Sequence, residues 1–381
     1  MKRDVFGPEH ERFRRGVAGF VSDRVVPCLQ QWEENRIVDR SFYQRAGVAG
    51  LLGLGIDERY GGRNLRDFRY NAILTEELCQ VGAVSVVINL AGFNDLVAPY
   101  LDAICTEEQK ERWLPGLCRG ELISAIAMTE RAAGSDLRGI RTAAVTDGDS
   151  YVLNGSKIFI GNGMNADIII VVAKIDASDN RRDPLSLIVV EQGAVGLERE
   201  QLDKIGLQAQ DTAELFFNDV RVPKANLLGK VGLGLTYLKQ NLPQERLSVA
   251  VMAAAGMQRT LRHTLDYVRQ REAFGRTLLD LQATRFTLAE LATEVDVAQA
   301  FVDKALGEAA SGALTPVDAA KVKWWVTELQ QQVLNRCLQL YGGYGVLREN
   351  LAAQDLLDAR QATLYAGTTE IMKEIIGRSL Q

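Results

Sequence analysis

Between residues 122 and 228 the chain changes texture, and that change limits its fold more than any other feature. On either side apolar residues recur at helical spacing; inside it they come in short β-branched and aromatic runs. The runs are Leu122–Met128, Arg141–Val145, Tyr151–Leu153, Lys157–Ile160, Ile168–Lys174, Leu185–Val190 and Leu215–Phe217. Asp147-Gly148 lies between the second and third, and Asn154-Gly155 between the third and fourth. Both dipeptides accept the positive φ angles of tight hairpin turns, which predicts an antiparallel β domain. The charged stretch Asp176–Asp183 reads as a solvated loop.

The flanks are helical. Phe13, Val17, Phe20 and Val21 share one stripe in residues 1–121, as do Ile73, Leu74 and Leu78. Thr106-Glu-Glu-Gln109 is a capping box, in which hydroxyl and amide side chains satisfy orphan amides at a helix start. From 229 to 381, Leu261, Leu265 and Val268 mark one stripe and Leu288, Leu291, Val295 and Ala298 another. Thr315-Pro316 opens a further helix at proline's favoured position. Leu242–Leu247 heads a long apolar helical pattern and sets Glu245 beside Arg246. The predicted class is α+β multi-domain, divided as 1–121, 122–228 and 229–381.

Bulk composition removes several functions. The 381 residues are 47% apolar and 24% charged with net charge −5, and no basic block stands out, so nucleic acid and anionic membranes are poor partners. Five scattered cysteines without Cys-x-x-Cys point to reduced thiols rather than a zinc site or disulfide frame. Two histidines leave little room for a histidine metal site or a Ser-His-Asp triad. The N-terminus lacks the apolar core of a signal peptide, and the longest apolar run, Ile168–Ala173, is too short to span a bilayer. The expectation is a cytoplasmic protein without membrane insertion.

Several stretches can carry chemistry, each with a plainer alternative. Met128–Asp136 ends a strand in small polar residues that let backbone amides approach a flat or anionic ligand, or merely form a loop. Gly155–Gly163 sets Phe159 before a Gly-Asn-Gly turn, where it could stack on a planar cofactor or fill a core. Arg271–Arg276 ends one helix and Gln282 begins the next, which suits a dinucleotide phosphate or a C-cap. Gln339–Gly345 breaks a helix with three glycines in four residues, for a phosphate or a tight turn. No Gly-x-Gly-x-x-Gly follows a strand, so a Rossmann site is not supported.

In order and spacing these stretches identify a resemblance. The chain resembles the acyl-CoA dehydrogenases over essentially its whole length, through Thr106–Pro115, Met128–Asp136, Arg271–Arg276, Gln339–Gly345 and Tyr365–Ile371. Leu242–Leu247 and Thr368–Ile376 are similar to the long-chain-like branch. The resemblance implies an N-terminal α-helical domain, a middle antiparallel β-barrel-like domain and a C-terminal four-helix bundle, assembled as a homotetramer or homodimer around FAD. By position, Ile126, Met128, Thr129, Ser135, Phe159 and Gly161 would line the flavin, and Thr368 and Glu370 would meet its adenosine diphosphate. Arg271, Phe274, Gln282, Gln339, Gly342 and Gly343 would reach the FAD of a neighbouring subunit. Ser135, Arg246, Tyr365 and Gly367 would meet the substrate.

The implied chemistry is α,β-desaturation of an acyl-CoA to the trans-2-enoyl-CoA. A base removes the α-proton, the β-hydride goes to flavin N5, and the electrons pass to an electron-transferring flavoprotein. Many relatives place the base where this chain has Ala366; Glu245, beside Arg246, matches the alternative position, while Ala366 keeps its backbone amide for the thioester oxygen. The plainer reading makes Glu245 an acidic residue near a helix start. Gly161 stands where a serine or threonine is common, and Arg131-Ala132 where Pro-Gly is usual. The alternatives are a dehydrogenase of carrier-protein thioesters, a flavin oxidase or monooxygenase, and a non-catalytic binding protein on the same scaffold.

Overall fold

The computed structural model describes residues 1–175 and 185–381, so the expected Asp176–Asp183 loop lies outside the described residues. The N-terminal part is helical: α1 (Pro8–Phe20), α2 (Leu29–Asn35), α3 (Arg40–Val48), α4 (Arg69–Gln80), α5 (Val84–Ala91), α6 (Ala98–Ile104) and α7 (Glu107–Cys118). The capping box starts α7 as expected: the Gln109 amide donates to Thr106 Oγ1 at 3.3 Å, and the Thr106 amide to Gln109 Oε1 at 2.9 Å. Helices α5 and α6 are joined without a break by a π-helical turn, Gly92–Val97. The joined helix, Val84–Ile104, is by length and composition the one described helix apolar enough to cross a membrane. Two-thirds of its most apolar 18-residue window is buried inside the protein, where the helix packs against α4 and the helix that carries Glu245.

The middle part is one sheet: β1 (Ser124–Ala127), β2 (Ala143–Asp147), β3 (Ser150–Gly161), β4 (Ile168–Ile175), β5 (Leu185–Glu191), β6 (Leu197–Gln201), β7 (Thr212–Pro223) and β8 (Leu227–Leu228). Its order is β6-β7-β3-β2-β4-β5-β8, with β1 added to β4. Most neighbours are antiparallel, but β1 and β2 both run parallel to β4. Asp147-Gly148 makes the expected β2–β3 hairpin, with Gly148 at φ 57°. Asn154-Gly155 does not turn the chain. It is a bulge within β3, where the pairing with β7 slips between Leu153 and Gly155. Gly155 sits at φ +146°, and a Cβ there would fall 2.5 Å from Thr142 Oγ1, so glycine is needed for a close approach and not for a hairpin. Strand β6 escapes sequence reading because Leu-Glu-Arg-Glu-Gln has no β-branched or aromatic residue; the sheet edge, not propensity, makes it a strand.

The C-terminal part packs three long helices, α8 (Gly234–Gln270), α9 (Gln282–Ala310) and α10 (Pro316–Leu340), with the shorter α11 (Leu351–Ala359) and α12 (Thr369–Arg378). A two-residue hairpin pair, β9 (Glu272–Ala273) and β10 (Arg276–Thr277), links α8 to α9. Helix α8 begins well before the apolar pattern does. It starts at Gly234 and carries Pro243 inside it, so Glu245 is not near a helix start and the macrodipole does not account for it.

Candidate active site

Glu245 and Arg246 open a stretch of α8 in which every residue as far as Ala255 is buried. Burying a charge there is costly without partners. Glu245, 4% exposed, has one in Tyr100 of α6, whose hydroxyl donates to its Oε1 at 3.0 Å. Burial raises the Glu245 pKa to about 7; the Tyr100 hydrogen bond and the Arg246 charge oppose the rise, and the nearby carboxylate of Asp95 adds to it. Arg246 is buried as well, and desolvation lowers its pKa against the pull of Glu245. Its Nε is a buried donor with no partner among the described residues.

The segment before α12 closes on the same face of α8. Tyr365 Oη lies 3.9 Å from Met252 Sδ, and Met252 follows Glu245 by seven residues, two turns along one helical face. Ala366 adopts φ 53°, a left-handed conformation uncommon outside glycine, which the surroundings must hold. One holder is Lys323 of α10, fully buried, whose Nζ donates to the Gly367 carbonyl at 2.7 Å. Burial lowers the Lys323 pKa to about 8, and the nearby Arg246 pushes the same way. Gly367, at φ +94°, takes a backbone conformation that side chains rarely adopt, and a Cβ there would also push on Met372 Cε at 2.5 Å. Thr368 caps α12 by accepting from the Ile371 amide, Thr369 bonds Glu328, and Glu370 lies exposed in the first turn.

A second group gathers on the sheet. Ile126 is in β1, with Met128 and Thr129 just past its end. The Thr129 carbonyl accepts from the Ile158 amide at 2.9 Å. Beneath them the buried Lys157 donates to the Met128 carbonyl (2.8 Å) and to Glu130 (2.9 Å), and Glu130 also accepts from the amides of Arg141 and Thr142. Phe159 is no core residue. It is 67% exposed and sits at φ 62°, where β3 slips against β7 between Lys157 and Ile160. Strain that turns a flat apolar ring outward beside an exposed loop is a feature worth explaining by a ligand. Ser135 lies exposed on that loop. Arg131 forms a two-bond ion pair with Glu214 (2.7 and 2.5 Å), which anchors the loop where the usual Pro-Gly is missing. A Cβ on Gly161 would meet the Gln210 amide at 2.9 Å, so that amide fills the space a hydroxyl side chain would take.

The third group is apart. Arg271 follows α8 with its guanidinium 5.6 Å from the Tyr344 ring centre, Phe274 is 92% exposed at φ 56°, and Gln282 starts α9. Gln339, Gly342 and Gly343 lie exposed where α10 gives way to the turn Gly342–Val346. Tyr267 stacked on Tyr341 (4.3 Å) ties this corner to α8. Counting 271 − 245 = 26 residues, Arg271 lies ~39 Å along α8 from Glu245. The structure thus joins these residues to one another and not to Glu245.

Tyr100, Asp95, Lys323 and Lys157 were not singled out from sequence. Lys323 had a signal: it interrupts an otherwise apolar stripe of Ala319, Ala320, Val322 and Val326. Tyr100 and Asp95 had none, because nothing local marks a helix face that meets α8 some 145 positions later.

Family models for acyl-CoA dehydrogenases match the chain in three parts: the N-terminal domain over residues 7–121, the middle domain over 125–220 and the C-terminal domain over 232–381. The chain is 42% identical to the long-chain specific acyl-CoA dehydrogenase of Rattus norvegicus mitochondria over 99% of its length and 88% of that protein. It superposes on the crystal structure of an acyl-CoA dehydrogenase from Geobacillus kaustophilus with TM-score 0.97 and 43% identity, covering 100% of both chains. A glutaryl-CoA dehydrogenase from Mycobacterium smegmatis, solved in complex with FADH2, matches with TM-score 0.91 and 25% identity over 99% of this chain and 95% of that one. These matches run in register with the three parts of the fold, and the chain belongs to the acyl-CoA dehydrogenase family.

Proposed function

We propose that the protein is an FAD-dependent dehydrogenase that converts an acyl-CoA to its trans-2-enoyl-CoA, with Glu245 as the base. The observation that carries this reading is a carboxylate buried on α8, hydrogen-bonded to Tyr100, with its pKa raised to about 7, two helical turns before the Met252 that meets Tyr365. A base that titrates near working pH combines a useful deprotonated fraction with a strong pull on the proton. The sheet residues fit a flat cofactor: the outward ring of Phe159 offers it a face, and Thr129 and Ser135 offer hydroxyl donors beside it. Bound FAD supplies the acceptor for the β-hydride.

The chain's own residues do the rest. Glu245 takes the α-proton. The Ala366 amide, aimed by its left-handed backbone and by the Lys323 anchor on Gly367, donates to the thioester oxygen as charge builds there. One such donor contributes about 3 kcal/mol in acyl-transfer enzymes. The unpartnered Nε of Arg246 is a buried donor for the ligand to satisfy. Side chains packed around Glu245 exclude water, so the proton stays with the base.

The corner formed by Arg271, Phe274, Gln282 and Gln339–Gly343 is too far along α8 to share a site with Glu245, which supports a homotetramer or homodimer in which it meets a neighbour's FAD. An electron-transferring flavoprotein as acceptor and a cytoplasmic location complete the reading, the latter supported by five free thiols.

The test is anaerobic. Acyl-CoA should bleach the yellow protein, and Glu245→Gln should slow bleaching by ~10²–10⁴-fold, the reach of general-base catalysis. Near-normal bleaching in that variant would remove Glu245 from the role. Bleaching by an acyl-carrier-protein thioester but by no acyl-CoA would move the substrate to the carrier protein.

A further inference from the structure

Asp95 is a second carboxylate buried beside the base, and the mechanism above does not use it. It lies in the π-helical turn Gly92–Val97 and is 2% exposed. Asn71 of α4 donates to its Oδ1 at 2.6 Å, and Ser248 of α8 donates to its Oδ2. Gln244 of α8 reaches the Asp95 carbonyl at 3.2 Å. Gln244 and Ser248 flank Glu245 in sequence, so α8 grips Asp95 on both sides of the base. The π turn makes this possible. Asp95 and Tyr100 are five residues apart, which in a regular helix of 3.6 residues per turn puts them on different faces. A turn closed between residues i and i+5 brings such a pair back toward one face. Both therefore address α8, Tyr100 by a hydrogen bond to Glu245 and Asp95 by its charge.

We propose that Asp95 is a positioning residue for Glu245: held by Asn71 and Ser248 beside α8, its negative charge disfavours a second buried carboxylate and so makes Glu245 the stronger base. The proposal rests on the reading of Glu245 as the base. The groups that bear on Glu245 are Tyr100 from α6, Arg246 from α8 itself and Asp95 from the π turn; those that bear on Asp95 are Ser248 and Asn71. Burial raises the Asp95 pKa to about 6, and the hydrogen bonds from Ser248 and Asn71 oppose that rise by favouring its charged form.

The experiment is the pH profile of kcat/KM for the holoenzyme with acyl-CoA, for the native protein, Asp95→Asn and Ser248→Ala. The native profile should fall on the acid side of pH 7. Asp95→Asn removes the like charge, so its acid limb should move down by about half a pH unit or more. Ser248→Ala removes a donor that favours the charged form of Asp95, and its limb should move the same way. If Asp95→Asn does not fold, the direction of the Ser248→Ala shift decides. Thermal unfolding gives a readout apart from turnover. Ionising Asp95 in the folded chain is penalised between the ordinary carboxyl range and about pH 6, so the Tm of Asp95→Asn relative to the native protein should rise across that window. A native acid limb that neither variant moves would overturn the role of Asp95. A native profile without an acid limb would instead overturn Glu245 as the base.

Discussion

Tyr100 and Asp95 act on one carboxylate with opposite signs. The Tyr100 hydroxyl favours the charged form of Glu245, and the Asp95 charge disfavours it. Tyr100→Phe should therefore raise the pKa of the base, move the acid limb of kcat/KM to higher pH and slow turnover at pH 7, the reverse of Asp95→Asn; a pH profile of the variant checks this. The sequence singles out Glu245 by position, through its neighbour Arg246 and the alanine at 366. Its controls carry no such mark. A residue's proton affinity depends on what faces it, and Tyr100 and Asp95 face it across the gap between α6 and α8. Phe159 shows a different limit. The sequence left open whether it stacked on a ligand or filled the core, and only its left-handed backbone and exposure decide against the core.

Among elements, those with a local signature were legible. The Thr106–Gln109 cap, the Asp147-Gly148 hairpin, the start of α10 after Thr315 and the glycine break after Leu340 all stand where the sequence puts them. The errors occur where tertiary context overrides a local preference. Asn154-Gly155 has the composition of a hairpin turn, yet β7 pairs with β3 on both sides of it and Asn154 spends its amide on Asp219 at 2.9 Å. The parallel joins of β1 and β2 to β4 were invisible because strand direction is set by long connections. Helix α8 starts at Gly234, eight residues before Leu242, where the apolar pattern begins, and it runs through Pro243.

At the scale of the whole molecule, buried acids recur in all three parts of the fold. Burial raises Asp95 and Asp211 to about 6 and Glu245 and Asp358 to about 7. In the window from pH 5 to 7 the folded chain thus holds protons that the unfolded chain has released, and stability falls as pH rises. Lys157, Lys204 and Lys323, lowered to about 8 by burial, act the other way. Above pH 8 the folded chain has given up protons that the unfolded chain keeps, and stability recovers. Calorimetry should find Tm lower at pH 7.5 than at pH 5.5, by about a few degrees; a Tm that climbs steadily from pH 5.5 to 7.5 would contradict the buried-acid account. The domain order was legible because hydrophobic period switches from helix to strand and back. How the domains meet was not, since the contacts that join α4, the π turn and α8 leave no trace in either segment alone.

The π turn also makes the helix Val84–Ile104 one residue longer than a regular helix spanning the same gap would be. Deleting one codon within Gly92–Val97 should restore an ordinary helix over the same gap, leaving the flanks in place and changing which residues of the turn face α8. Circular dichroism would register no loss of helix, while anaerobic bleaching by acyl-CoA would slow sharply. A tidier helix would make a poorer catalyst, and reading-frame-preserving deletions in this short window should be selected against even though the fold could absorb them.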